Sequence, residues 1–247
     1  SIKGYEKSPA EWSIKARIVF RGDAVRDEDN QAAVFDELAA SAPTSLGGLN
    51  LVIAFGLLDG HTCSTSDCIK AYVQSFLDSS CPTYVLLPAE LVPDYARHMH
   101  QPVAPLIGSL YGHPLASASW QNHLSNILST HLGGYELEEQ PSCFHFPALS
   151  LALSVYVDDL TLSRPKKNHS QFWSTLRKHV QLEDPAELSK VLGRNHVPQD
   201  QGVLHCTRQI LPSSVSSFMN SSQARKSNTF VLLIAIVEPS LSLMMDV

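Results

Sequence analysis

Residues 156–159 read Tyr-Val-Asp-Asp, and these two adjacent carboxylates are the part of the chain best equipped for chemistry. Two like charges on neighbouring residues repel, and a cation is the least costly way to satisfy them. Around them Leu149, Leu151, Leu153, Val155 and Val157 alternate with Ser150, Ala152, Ser154, Tyr156 and Asp158, and Leu160-Thr161-Leu162-Ser163 resumes the same period. That pattern predicts strand, tight turn, strand, with both acids at the bend. An Asp-Asp pair also makes a good turn without any chemical role, so the hairpin alone leaves both readings open. Asp67, at the end of a strand expected over residues 62–68, supplies a third acid. A strand with one carboxylate beside a hairpin with two is an arrangement able to hold a pair of Mg²⁺ ions.

The elements that must position these acids are readable in outline. Residues 14–20 are β-prone and stop at Arg21-Gly22, and residues 30–40 have a helical face of Val34, Phe35 and Leu38. Thr44 or Ser45 is placed to cap a buried apolar helix running through Leu58 and ended by Gly60. A short helix is expected at 69–77, then a Pro-rich irregular stretch from Pro82 to Pro105 with one strand at Tyr84–Leu87. Pro114 suits the first turn of a helix whose Trp120, Leu124, Ile127, Leu128 and Leu132 share a face and which Gly133-Gly134 ends. A further helix is expected from Ser170 to Val180.

Composition sets bounds. With 247 residues, 44% hydrophobic and 17% charged, the chain can bury a substantial core. No apolar run approaches the roughly 20 residues that span a bilayer, and Phe230–Val237, cut off by Glu238-Pro239, reads as a buried strand. Nothing near Ser1 resembles a signal peptide, so the expectation is an intracellular, non-secreted protein, cytoplasmic or nuclear, whose start is internal to a longer polyprotein or a gene fragment. Five cysteines without a C-x-x-C pair argue against a disulfide framework and a zinc ribbon, and Cys143 is expected to be buried. The net charge of −6 runs against a grip on nucleic acid, although Lys3, Lys7, Lys15, Arg17, Arg21 and Arg26 crowd the start and Arg164, Lys166 and Lys167 follow the double aspartate.

The order of motifs resembles the reverse transcriptase of copia-type long-terminal-repeat retrotransposons, over about residues 13–196. Lys15-Ala16-Arg17-Ile18-Val19 with Arg21-Gly22 resembles the family's Lys-Ala-Arg-Leu-Val...Gly opening, and Asp67 through Tyr72 resembles its Asp-Val-Lys-Thr-Ala-Phe segment. Thr83-Tyr84-Val85 with Pro88 resembles the strand that follows, Leu110-Tyr111-Gly112 with Trp120 the Leu-Tyr-Gly...Trp helix, and Val191-Leu192-Gly193 the pair that closes the palm. Tyr156-Val157-Asp158-Asp159 is identical to the family's signature.

The resemblance implies an α+β polymerase fold: a fingers-like part over residues 1–60, a palm with an antiparallel sheet over 61–205, and an unassigned tail over 206–247. It implies an RNA-directed DNA polymerase that extends a DNA primer and works within a Pol polyprotein. Primer–template nucleic acid and deoxynucleoside triphosphates are the implied partners, with no membrane. Asp67 and Asp158 would hold two Mg²⁺ or Mn²⁺ ions, with Asp159 in support. Tyr72 would select against a 2′-hydroxyl; Lys15, Arg17 and Arg21 are candidates for the triphosphate; Tyr111 and Gly112 would support the templating pair through a close backbone approach. Trp120 is expected in the core. The chain departs from the family between Gly112 and Trp120, where Leu115 replaces a Gln and the basic residue is missing, which leaves an inert transposon remnant as the rival expectation.

Overall fold

A computed structural model describes residues 2–8, 11–16, 18–33, 42–77, 82–199 and 202–206. The hairpin alternation becomes two central strands, β8 (Leu151–Tyr156) and β9 (Asp159–Pro165), of a six-stranded antiparallel sheet. The order is β10 (Ala186–Glu187), β3 (His61–Asp67), β9, β8, β7 (Gln140–Phe146), β6 (Tyr135–Leu137). The remaining strands are β1 (Ile2–Ser8) with β2 (Glu11–Ala16), β4 (Tyr84–Leu86) with β5 (Val103–Pro105), and β11 (Lys190–Val191), β12 (Arg194–Gln199) and β13 (Gly202–Cys206).

Helices cover both faces of the large sheet. Leu151, Leu153 and Val155 of β8 and Leu160 and Leu162 of β9 share one buried cluster with Trp120, Leu124 and Leu128 of α2 (Ala116–Leu132) and Phe172, Trp173 and Leu176 of α3 (Lys166–Leu176). Each such side chain contributes about 2 kcal/mol by leaving water. The opposite face carries the small residue Ala152, which packs with Cys143 against Val52 and Phe55 of α1 (Leu46–Phe55). The large-small alternation of β8 therefore reflects two covered faces of unequal depth rather than one wet face. Cys143 is fully buried, as expected, and touches the Thr44 hydroxyl at 3.2 Å.

Local physics explains where the elements differ from expectation. Ser45 caps α1 by accepting from the Gly48 N–H at 3.0 Å, but the helix stops at Phe55, short of Leu58. There the Phe55 carbonyl meets the His61 Nδ1 at 2.9 Å and the chain turns into β3. The strand expected at 14–20 is Glu11–Ala16, paired with β1, and the helix placed at 69–77 is a single 3₁₀ turn, Ala71–Gln74. The Pro-rich stretch contains a second strand, β5, whose Val103 and Pro105 face Leu86 and Tyr84. Pro114 lies ahead of α2, whose N-cap is Leu115, and α3 begins at Lys166 rather than Ser170. The helix expected at 30–40 is not formed over residues 30–33, where Ala32 bridges to Arg26; residues 34–40 and the segment beyond Cys206 lie outside the described residues. Among the described residues, no helix is long and apolar enough to cross a membrane.

Candidate active site

The two-residue period put both acids at the bend, but the bend is Val157-Asp158, and Asp159 is the first residue of β9, paired with Tyr156. Val157 makes the turn with φ +58°. A positive φ at the first central position of a two-residue hairpin normally falls to glycine, and a β-branched residue there costs about 1–2 kcal/mol. Outside groups hold the turn. The Trp120 indole N–H donates to the Val157 carbonyl at 2.7 Å, and the Cys68 N–H donates to the Asp158 carbonyl at 2.8 Å.

The Cys68 bond also fixes the neighbouring pair. Asp67 and Asp159 are opposite each other across β3 and β9, one step in from Cys68 and Asp158. Since Cys68 donates to its opposite number, Asp67 and Asp159 occupy a non-hydrogen-bonded position, where facing Cβ atoms come within about 4.5–5.5 Å. Like charges at such a position repel, and burial adds to the cost of ionising them. Burial, then the charges of Asp67 and Asp158, push the Asp159 carboxyl up to about 6, helped by a hydrogen bond with Asp67. Burial, then the same three carboxylates, also push the Cys68 thiol above its ordinary range. Asp67 and Asp158 are exposed and Asp159 is half-buried. Among the described residues, no three His, Cys, Asp or Glu side chains are gathered as ready ligands of one ion. The carboxylates are coupled through charge and register instead.

Tyr72, in the 3₁₀ turn after Asp67, is partly buried against the core, and its ring lies 4.9 Å from that of Tyr111 at an angle of 54°. Tyr111 and Gly112 precede α2. The Tyr111 carbonyl accepts from the Phe20 N–H at 2.7 Å. Gly112 has φ +89°, and a Cβ there would stand 2.2 Å from the Phe20 carbonyl oxygen. The close approach expected of this glycine is therefore made to the chain's own backbone. His113 adds to the junction: its ring lies 4.9 Å from Phe20, its Nδ1 accepts from the Leu115 N–H, and its Nε2 is 3.1 Å from the Thr83 hydroxyl.

The basic residues are less gathered. Arg21 is exposed and paired with Asp23 at 3.2 Å; Arg17 and the Lys15 side chain lie outside the described residues. Arg164, one of the cations after the double aspartate, is half-buried with its guanidinium 4.5 Å from the centre of the Phe55 ring. Sequence reasoning put Trp120 in the core, which its 2% exposure bears out, but missed its bond to the turn. A hydrophobic period registers the ring and not its N–H.

No relative among curated proteins matches the chain. A family match does cover most of it, residues 5–230, and its description is reverse transcriptase (RNA-dependent DNA polymerase). Reverse transcriptases are nucleotidyltransferases that use divalent metals, nucleic acid and deoxynucleoside triphosphates. With an antiparallel sheet presenting paired carboxylates, and a match over well more than half its length, the chain belongs to the reverse transcriptase family.

Proposed function

We propose that this chain is the reverse transcriptase of a copia-type retrotransposon Pol polyprotein, extending a DNA primer with Asp67, Asp158 and Asp159 as its acidic centre. The observation that carries the reading is the placement of Asp67 opposite Asp159, with Asp158 in the adjoining turn. In this reading residues 1–60 form the fingers-like part and 61–205 the palm, with 206–247 unassigned.

The donor set suits hard divalent cations, because oxygen ligands whose charges already oppose one another gain most from a shared counter-ion. Asp67 and Asp158 would hold two Mg²⁺ or Mn²⁺ ions. Bound there, such ions supply charge neutralisation and activation of the primer hydroxyl for nucleotidyl transfer. Asp159, with its carboxyl raised to about 6, keeps a proton in acid and becomes a full anion above neutrality. Tyr72 would exclude a 2′-hydroxyl, a reading supported by the Tyr111 ring that backs it at 4.9 Å. Lys15, Arg17 and Arg21 serve the triphosphate, which requires Arg21 to exchange Asp23 for phosphate. Tyr111 and Gly112 support the templating pair indirectly, by fixing the head of α2 against Phe20.

Primer extension on an RNA template with Mg²⁺ or Mn²⁺ tests this reading. The wild-type chain should extend, and Asp67→Asn and Asp158→Asn should each lose at least about a hundredfold. A folded wild-type chain that never extends would support the inert remnant, which Leu115 at the N-cap of α2 and the Arg21–Asp23 pair favour.

A further inference from the structure

Both carbonyls of the Val157-Asp158 turn are held from outside the hairpin: one by the Trp120 indole of α2, the other by the backbone of Cys68, next to Asp67. Packing alone asks for none of this. The cluster formed with Leu124, Leu128 and Val155 asks for a large apolar side chain at position 120 but makes no use of an N–H. The N–H, however, reaches the carbonyl of the one residue in the turn whose φ of +58° a β-branched side chain resists. Left alone, that turn has every reason to relax, and relaxation swings Asp158, the next residue, away from its neighbours.

We propose, resting on the polymerase reading above, that Trp120 is a positioning residue for Asp158: its indole N–H clamps the strained turn in the one conformation that presents this carboxylate beside Asp67 and Asp159. The clamp also ties the acidic centre to α2, whose head is fixed by Tyr111 and Gly112 against Phe20. A change at the head of α2 therefore has a mechanical route to the acids.

Four proteins test it: wild type, Trp120→Phe, Val157→Gly and the double variant, with Mn²⁺ affinity followed by electron paramagnetic resonance and primer extension by steady-state kinetics. In Trp120→Phe, kcat should fall about 10–100-fold, as expected for a displaced catalytic group, with the nucleotide KM nearly unchanged and Mn²⁺ bound about tenfold more weakly. Glycine adopts a positive φ without strain, so Val157→Gly should recover several-fold of both losses in the Trp120→Phe background and give no gain in wild type. If Trp120→Phe fails to fold, benzothienylalanine at position 120 keeps the bicyclic shape, removes the N–H alone, and should show the same losses. Wild-type kcat and Mn²⁺ affinity in either replacement overturn the clamp, as do losses that Val157→Gly leaves untouched, which would mark simple packing. A wild-type protein with neither extension nor Mn²⁺ binding overturns the polymerase reading itself, and the clamp falls with it.

Discussion

Asp67 and Asp159 stand directly opposite each other on β3 and β9, at a position in the ladder where facing side chains come closest. Few folds would place two carboxylates there for stability, since like charges across a strand pair work against the sheet. The repulsion does not open the strands because β9 is buried from Leu160 to Ser163, with Leu160 and Leu162 anchored in the main cluster. The site is thus an electrostatically unfavourable pair held by an apolar framework, and its behaviour with pH and with cations follows from that.

In the metal-free protein the stabilising contribution of Asp159 should be lost as pH rises through about 6. Asp159 is raised from 3.8 to about 6, so between those values the folded state holds a proton that the unfolded state has released. Its contribution is fully present below about 3.8 and gone above about 6. Asp159→Asn removes this term and should be more stable than wild type by about 1 kcal/mol at pH 8, after discounting for partial exposure, with no such gain at pH 3.5. Thermal unfolding in chelator at both pH values measures it. Millimolar Mn²⁺ should reverse the order at pH 8 by binding wild type better.

Buried histidines act on the acid side with the opposite sign. Burial, then the charge of His61, hold His169 below its ordinary range, against the hydrogen bond to the Arg164 carbonyl; burial alone does the same to His113. The partners assign a tautomer at His169. The Trp173 indole donates to the Ser64 hydroxyl, which donates to Nδ1, leaving Nε2–H for the Arg164 carbonyl. A histidine with a depressed folded pKa gives stability that is present above about 6.5 and lost as pH falls through its folded value. The histidine contribution should therefore decline below pH 6.5, opposing the Asp159 contribution over that window, and His169→Gln should remove its share of the decline while lowering the plateau. An unchanged acid limb in chemical denaturation of His169→Gln would remove this residue from the account.

What the sequence showed and hid follows one rule. Alternation placed β8 and β9 because large side chains recur at every second residue in both strands, even though both faces are covered. It put the bend one residue late, since nothing in a periodic pattern predicts a valine at positive φ. The α2 face was legible from Trp120 to Leu128, whereas the Trp120 N–H contact and the meeting of Gly112 with Phe20 join segments far apart in sequence. The start of α3 was missed because Lys166-Lys167-Asn168 is polar and reads as a loop, yet the Asn168 side chain donates to the Leu149 carbonyl at 2.6 Å. Asp67 was found through resemblance and strand position, but its pairing with Asp159 is a matter of register, which one chain's pattern does not fix.

Two glycines with similar backbones should respond differently to alanine. Gly60 has φ +73° with nothing within 4 Å of an added Cβ, so Gly60→Ala should cost only the conformational strain, about 1 kcal/mol. Gly112, at φ +89°, would drive its Cβ to 2.2 Å from the Phe20 carbonyl oxygen and 2.8 Å from a Val19 methyl. Gly112→Ala should cost more than about 3 kcal/mol and release residues 18–22 from the head of α2. Urea midpoints compare the two, and amide exchange at Phe20, whose N–H is bonded to Tyr111, reports the release. Equal costs would mean that the junction gives way easily.

The Tyr72–Tyr111 pair yields a prediction about substrate choice. A ring can exclude a 2′-hydroxyl only if it cannot swing aside, and Tyr72 is restrained by the core on one side and by the Tyr111 ring at 4.9 Å on the other. Tyr72→Ala should narrow the preference for deoxynucleotides over ribonucleotides by at least about tenfold, because it removes a clash rather than a bond. Tyr111→Ala should narrow it less, with Tyr72 intact but unbacked. The double variant should match Tyr72→Ala alone, since Tyr111 has nothing left to restrain. Ratios of kcat/KM for matched nucleotide pairs decide the matter. If Tyr111→Ala leaves the ratio untouched while Tyr72→Ala changes it, the core suffices to hold the ring. If neither changes it, discrimination resides elsewhere and the role proposed for Tyr72 is wrong.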